Sequence, residues 1–165
     1  MKIIRDTRER KPWLFPFHDD LYFIDRKIDA GDYTTENLEG KVVVERKAST
    51  SEIAGNLGKK AARERFYREF SRMESLEQAY IVCEFPESDV YVYPDKSGLS
   101  TAQRKTVRMN GKYLRRLIYN IEEDCPFIEV VFCKNREAAE DFTYDILKFW
   151  ENEYARKESE CRRDS

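Results

Sequence analysis

The chain has 165 residues, which suits one domain with its own hydrophobic core and leaves little room for a second. Apolar residues make up 41% and charged residues 38%, and the charges nearly cancel to a net −2. This composition is typical of a folded globular protein and excludes a uniformly basic chain, so a nucleic-acid site must arise from local clusters of charge. No apolar run approaches the ~20 residues that span a bilayer. The charged N-terminus lacks the apolar stretch of a secretory signal, so we expect an intracellular protein, cytoplasmic or nuclear, with no membrane partner.

Short β-branched runs separated by turn residues predict strands in the first third of the chain. We expect one strand over residues 1–5 and another over residues 22–28. The runs 33–36 and 41–47 form a predicted hairpin, because residues 37–40 supply turn residues between them. Three consecutive valines in the last run indicate a strand that is covered on both faces.

Helical and strand patterns alternate along the rest of the chain. Ser49 with Glu52 three residues later is a capping-box pattern, and it begins a predicted helix that extends to about Met73. Gly55 and Gly58 weaken the first half of this helix, where a break is plausible. The further elements that we expect are a strand at 78–85, an irregular loop at 90–110, a helix at 111–122, a strand at 127–133 and a last helix after Asn135.

The order of these elements predicts the fold class. Strands that alternate with helices after an initial hairpin are typical of an α/β fold with a mixed central β-sheet flanked by helices. We expect one domain over residues 1–155. The remaining residues, 156–165, form a charged tail that we expect to fray.

Asp32 and the triplet Glu45-Arg46-Lys47 are the residues that indicate chemistry. In the predicted hairpin, residues whose numbers sum to 77 face each other, so Asp32 lies opposite Glu45. Side chains alternate along a strand, so Lys47 shares a face with Glu45. Two facing carboxylates repel unless a divalent cation such as Mg²⁺ lies between them. Spacing alone fits an exposed hairpin with ordinary surface ion pairs equally well.

Two segments resemble a known family. Gly31-Asp32-Tyr33, followed by Val42-Val43-Val44-Glu45-Arg46-Lys47, resembles the GD…ERK signature of the XPF/Hef-type structure-specific endonucleases. Residues 3–9 (IIRDTRE) are similar to the DxRE strand end that begins the same nuclease domain. The resemblance covers about residues 1–150. It implies a restriction-endonuclease-like fold and hydrolysis of DNA phosphodiesters with Mg²⁺ or Mn²⁺, at branched, flapped or junction DNA, in repair or recombination.

The resemblance also implies a role for each matching acidic residue and for the lysine. Asp32 and Glu45 would be metal ligands, and Lys47 the catalytic lysine. Asp6 would be an additional carboxylate at the metal site. Glu9 would act beside it, so these five residues form the expected catalytic set.

Basic neighbours and one departure from the family pattern complete the expected site. Arg8 would support the site or contact phosphate, and Arg46 would be structural, pairing with an acidic residue beneath the site. The family usually has Asp four residues after the lysine of the triplet, where this chain has Ser51 with Glu52 next to it. Either Glu52 takes that place after a one-residue insertion, or the secondary ligand is missing.

This departure motivates an alternative function, a catalytically inactive, nuclease-derived module that binds DNA or a partner. No tandem helix-hairpin-helix segment, which many such enzymes use to dimerise and grip DNA, is recognised in the chain. The intact set of Asp32, Glu45 and Lys47 argues against this alternative, because a retired site has no reason to keep two repelling carboxylates. A sequence-specific, restriction-like nuclease is a third hypothesis. A homodimer or a targeting partner also remains open, since the apolar stripe of the last helix is either core or interface.

Clusters of basic residues indicate where DNA would bind. Residues 96–116 contain seven Lys and Arg side chains and no acidic one, the pattern of a patch that follows a phosphate backbone. The helix after the triplet is also basic, although Glu64 and Glu69 dilute its charge. The alternative explanation for either stretch is a charged helix or loop face that is simply exposed to solvent. The DNA-binding candidates are Arg8, Lys59, Lys60, Arg63, Arg65, Arg104, Lys105 and Arg108.

Overall fold

The computed structural model of the protein describes residues 1–163, in which helices pack against both faces of a six-stranded mixed sheet. The strands are β1 (Lys2–Arg5), β2 (Tyr22–Asp25), β3 (Tyr33–Thr35), β4 (Val42–Lys47), β5 (Gln78–Cys83) and β6 (Ile128–Phe132). The helices are α1 (Thr50–Gly58), α2 (Lys60–Met73), α3 (Glu87–Tyr91), α4 (Thr101–Thr106), α5 (Gly111–Asp124) and α6 (Arg136–Arg163). The predicted α/β class with a mixed central sheet is therefore confirmed.

The strand order places the predicted hairpin at the centre of the sheet. The order is β2-β1-β3-β4-β5-β6, with antiparallel pairs at β1–β3 and β3–β4 and parallel pairs elsewhere. Parallel neighbours need crossover connections, and α1 with α2 supplies the one between β4 and β5. The carboxyl end of β4, which carries the triplet, is therefore followed directly by a helix.

Each face of the sheet has its own hydrophobic core, and β4 contributes to both. Val43 packs into the core under α1, α2 and α5. Val42 and Val44 pack into the opposite core, which contains Trp13 and Leu147 of α6. This alternation follows from the two-residue period of a strand. It places Glu45 and Lys47 on the α1–α2 face and the intervening arginine on the α6 face.

The expected break in the helix after β4 occurs at Lys59, which has an extended backbone and separates α1 from α2. At the start of α1, the Ser49 hydroxyl accepts a hydrogen bond from the N–H of Glu52 at 3.3 Å. The Glu52 carboxylate accepts from the N–H of Ala48 at 2.9 Å, one residue before the position that a capping box predicts. The capping pattern therefore locates the start of the helix correctly.

The segment 90–110, expected to be an irregular loop, contains the end of α3 and all of α4. α4 has no buried residue, so it lacks the apolar period that predicts a helix, although Ser100 and Gln103 form a capping box. α6 extends to Arg163, well into the expected tail, and residues 164–165 lie outside the described residues. Within residues 1–163, no helix has both the length and the apolar character needed to cross a membrane.

Candidate active site

The register of the central hairpin brings Asp32 to the triplet on β4. Tyr33 pairs with Val44, which is the register that the sequence predicts. The N–H of Asp32 donates to the carbonyl oxygen of Val44 at 2.8 Å. The N–H of Arg46 donates to Oδ2 of Asp32, also at 2.8 Å. One carboxylate oxygen of Asp32 is therefore held by the β4 backbone.

Gly31 allows this close approach. Its φ of +84° lies in the left-handed region, which side chains with a Cβ rarely adopt. A Cβ at this position would lie 2.3 Å from Cγ2 of Val43, a buried core residue. Glycine before Asp32 therefore has a physical cause, because both the backbone conformation and the packing against β4 exclude a side chain.

Lys47 lies among acidic side chains on the same face as Glu45. Its Nζ donates to Oε1 of Glu45 at 2.7 Å and lies 3.6 Å from Oε1 of Glu52. It also lies 4.9 Å from the centre of the Phe66 ring on α2. Burial by itself lowers the pKa of Lys47, but the charges of Glu45 and Glu52 outweigh it and raise the pKa above its usual value. Lys47 is therefore an ammonium ion at neutral pH.

For Asp32, unlike Lys47, the surroundings favour the neutral form of the side chain. Burial raises the pKa of its carboxyl group, and the nearby charge of Glu45 raises it further. The hydrogen bond from the Arg46 N–H and the charge of Lys47 lower the pKa without restoring its usual value. A cation that reaches this carboxyl group stabilises its ionised form and so lowers its pKa.

A cavity of about 210 Å³ opens onto these carboxylates. Besides Asp32 and Glu45, its lining includes charged side chains of the loop after β1, of the loop before β3 and of α2. These further residues are Arg8, Asp29, Glu69 and Arg72. The sequence indicated the basic character of α2, but it did not distinguish Arg72 or Glu69 from the other charged residues of that helix. Within residues 1–163, no group of three His, Cys, Asp or Glu side chains is arranged to hold a metal ion.

Asp6 lies outside this cavity and has a full set of protein donors. Its Oδ1 accepts from the N–H and the Nε of Arg8, both at 2.7 Å. Its Oδ2 accepts from a second guanidinium nitrogen of Arg8 at 2.9 Å and from the N–H of Ile28 at 2.7 Å. Four bonds occupy the lone-pair sites of a carboxylate. This geometry is that of a structural carboxylate. The role at the metal site that the resemblance implies for Asp6 stays a prediction.

Glu9 lies on the other face of β4, with Arg46. The Arg46 guanidinium lies 3.1 Å from Oε1 of Glu9 and 2.7 Å from Oε1 of Glu84. Glu84 also accepts a hydrogen bond from Nε1 of Trp13. The predicted structural role of Arg46, pairing with acidic residues beneath the site, is confirmed. The structure brings Glu9 into this buried network, from which its charge contributes to the raised pKa of Asp32.

The position of Glu52 bears on the departure from the family pattern. Its carboxylate reaches Lys47 from the first turn of α1. Ser51, which occupies the position where the family has Asp, forms a hydrogen bond with Ser49 instead. Of these two neighbouring residues, Glu52 is the one that adds a carboxylate beside the lysine.

The basic candidates on α2 do not share one face. Arg65 lies four residues before Glu69 and seven before Arg72, so it shares a stripe of the helix with them, but only Glu69 and Arg72 of this stripe line the cavity. Arg63 donates to the carbonyl oxygen of Leu57 and lines a separate cavity against α5. The remaining candidates of this region, Lys59 and Lys60, are exposed.

The segment 96–116 is less basic in the folded protein than in the sequence. Lys96 pairs with Asp89 at 3.3 Å and Arg104 with Asp95 at 3.0 Å. Arg115 pairs with Glu87. These acidic residues precede the segment, so a window that begins at residue 96 misses them. Among the described residues, the cations of this segment without an ion pair are Lys105, Arg108, Lys112 and Arg116.

Comparison with known proteins supports the fold. No family model matches the sequence, and no curated protein matches it. Among solved structures, XPF from Aeropyrum pernix is similar, with a TM-score of 0.66 over 96% of this chain and 69% of that chain, at 15% sequence identity. An identity this low supports a statement about the fold alone. This chain therefore has an XPF-like nuclease fold of the restriction-endonuclease-like α/β class.

Proposed function

We propose that this protein is a metal-dependent DNA endonuclease that hydrolyses phosphodiester bonds. The observation that carries the proposal is that Asp32 and Glu45 line one cavity of a nuclease fold, with Lys47 hydrogen-bonded to Glu45. Facing carboxylates with a raised pKa at Asp32 cost folding free energy, and perturbed carboxyl groups of this kind cluster at functional sites.

The residues present fit a Mg²⁺ or Mn²⁺ ion. Magnesium is commonly held by one or two carboxylates, with waters and substrate phosphates as its other ligands. Asp32 and Glu45 supply the two carboxylates, and the cavity leaves room for water and phosphate. When bound, such an ion polarises a phosphoryl oxygen and acidifies a water molecule.

The side chains around this pair have distinct roles in the proposed reaction. Lys47, kept protonated by Glu45 and Glu52, orients the attacking water and stabilises negative charge that develops on the phosphoryl group. It does not act as the base in its protonated state. Arg8 and Arg72 lie at the cavity and contact the phosphates that flank the cleaved bond.

The proposed substrate is DNA that contains branches, flaps or junctions between single-stranded and duplex regions. The GD…ERK resemblance and the XPF-like fold support this choice, and repair or recombination is the corresponding setting. A homodimer or a targeting partner is part of the same proposal. Phe149 on α6 leaves an exposed apolar side chain for such a contact.

The test is cleavage of labelled flap, fork, four-way-junction, single-stranded and plain duplex DNA with Mg²⁺ or Mn²⁺. Wild-type protein, Asp32→Asn and Lys47→Met are compared, with EDTA as the control for metal. We expect metal-dependent cutting of at least one branched substrate by wild type and none by Asp32→Asn. Binding of these DNAs without cleavage in either metal would overturn the proposal in favour of an inactive binding module. Discrete fragments from random plasmid DNA would indicate a sequence-specific nuclease instead.

A further inference from the structure

A second cavity, of about 610 Å³, runs along the exposed side of α1, between that helix and the segment 93–109. This volume lies within the range of about 300–1,000 Å³ that is typical of ligand-binding pockets. We name this cavity the α1 groove. Its lining consists of Ser51, Ala54, Gly55, Gly58, Lys59, Tyr93, Leu99, Thr106, Val107, Arg108 and Met109.

The charge of the α1 groove favours a polyanion. Lys59 and Arg108 line it, both are exposed, and neither has an ion pair within the described part of the chain. No acidic residue is among its described lining residues. The cavities between α2 and α5 differ, because Glu64 and Asp124 line both of them.

The remaining surface of the α1 groove is largely apolar. Leu99, Val107 and Met109 are partly buried and line its wall. Gly55 faces open space, since a Cβ there would have no neighbour within 4 Å. An apolar wall suits unpaired bases, which expose their faces, whereas a duplex presents mainly phosphates and sugars. An apolar wall together with two unpaired cations therefore matches a single strand.

The α1 groove adjoins the candidate active site through the first turn of α1. Ser51 lines the groove, and the next residue, Glu52, lies beside Lys47. We propose that the α1 groove binds an unpaired DNA strand next to the cleavage site. Lys59 and Arg108 contact its phosphates, and the apolar wall contacts its bases. This inference rests on the proposed nuclease function for its meaning, but binding is measured without cleavage.

The first experiment fills the groove without disturbing the fold. Gly55→Leu places a side chain in the open space, whereas Gly55→Ala adds only a methyl group. Both changes favour the helix, because glycine is a poor helix former. Binding of a short fluorescein-labelled oligothymidylate is measured by anisotropy in EDTA. We expect Gly55→Leu to weaken binding about tenfold and Gly55→Ala to change it little, in line with the loss of base contacts. Wild-type affinity in a folded Gly55→Leu variant would overturn the proposal.

The second experiment tests the charges with a matched control. Lys59→Ala/Arg108→Ala and Lys134→Ala/Arg162→Ala remove the same charge, and the second pair lies outside the groove. Removing two phosphate contacts should reduce the slope of log K against log salt by about 1.4 for the single strand. The control pair should leave the slope unchanged. Equal slopes for the two variants would contradict the proposal that Lys59 and Arg108 contact the phosphates of the strand.

The two proposals can fail separately. Suppose the groove variants lose oligothymidylate binding and wild type cleaves no DNA under any condition. The proposal that the α1 groove binds a single strand would then stand, and the proposed nuclease function would be wrong. Suppose instead that cleavage depends on Asp32 and the groove variants bind oligothymidylate normally. The proposed nuclease function would then stand, and the proposed role of the α1 groove would be wrong. A blunt duplex of the same length is the comparison ligand. We expect Gly55→Leu to affect its binding less than that of the single strand.

Discussion

The ammonium group of Lys47 lies 2.7 Å from Oε1 of Glu45, two residues earlier on the same strand. This pair neutralises one of the two carboxylates that face each other across the hairpin. Within residues 1–163, the backbone N–H of Arg46 is the one hydrogen-bond donor to the Asp32 side chain, and the pKa of Asp32 is raised. The site therefore holds an unequal pair of carboxylates, and Asp32 is the one whose charge is poorly compensated.

Asp32→Asn should abolish metal-dependent cleavage and stabilise the fold. The pKa of Asp32 is raised in the folded state, so the unfolded chain loses this proton first as the pH rises above about 4. Ionisation of Asp32 thus lowers the free energy of unfolding of wild type at higher pH. At pH 8, in EDTA, we expect the variant to be more stable by about 1 kcal/mol or more. Urea denaturation at pH 8 and pH 4 measures this, and the difference should nearly vanish at pH 4.

The asparagine retains an oxygen that accepts from the Arg46 N–H, so the β4 contact survives the change. Glu123→Asn, at an exposed position on α5, is the control for a general effect of lost negative charge. A variant that is less stable than wild type at both pH values would contradict the electrostatic account of Asp32.

Asp6→Asn should have the opposite effect on stability. Burial by itself raises the pKa of Asp6, but the hydrogen bonds from Arg8 and from the Ile28 N–H outweigh it and lower the pKa. Asparagine presents an NH₂ group to these donors. We expect a loss of about 2 kcal/mol at pH 7, discounted for the exposure of Arg8. Because the folded pKa is lowered, this loss should shrink as the pH falls below about 4.

The same variant separates a structural role of Asp6 from a role as metal ligand. Mn²⁺ affinity, measured by electron paramagnetic resonance on folded protein, should stay near that of wild type. A large loss of affinity without a loss of stability would return Asp6 to the metal site, as the resemblance implied.

Glu52→Gln should slow cleavage about tenfold or more, the usual cost of removing a residue that orients a metal or catalytic group. The change removes one of the two negative charges that hold the Lys47 ammonium, while the amide oxygen can still accept from the Ala48 N–H. Single-turnover cleavage rates provide the measurement, with Glu123→Gln as the matched control. An unchanged rate would show that Glu45 alone holds the lysine.

Arg72→Ala should lower the cleavage rate about tenfold and leave Mn²⁺ affinity unchanged. Arg72 lines the cavity at the paired carboxylates, and its ion pair with Glu69 is long, at 3.9 Å, so its charge is available to phosphate. The control is Arg68→Ala, an exposed arginine on the same helix that lines a different cavity. Equal cleavage rates for these two variants would show that Arg72 has no specific role in contacting the substrate phosphates.

Local patterns in the sequence predicted the central feature of the candidate site. Turn residues at 37–40 set the register of the hairpin, and the two-residue period of a strand put Glu45 and Lys47 on one face. Both are properties of residues close together along the chain. For the same reason the capping pattern at Ser49 located the start of α1. α4 was missed because an exposed helix leaves no apolar period.

Contacts between distant elements were decided only by the tertiary structure. Glu69 and Arg72 reach the cavity because α2 packs over the face of β4 that carries Glu45. The α1 groove exists because the segment 93–109 returns to lie beside α1. Asp6 has the sequence context of a ligand, but the folded loop gives it four protein donors.

The sequence by itself thus determined the order of the elements, the hairpin register and the pairing of Asp32 with Glu45 and Lys47. The tertiary structure decided which further charges share that cavity and which are neutralised elsewhere, as Arg104 is by Asp95. The physical reason is that periodicity places a side chain on a face of its own strand or helix. The element that covers that face, and so the distance between charges remote in sequence, follows from the packing of both cores against the sheet.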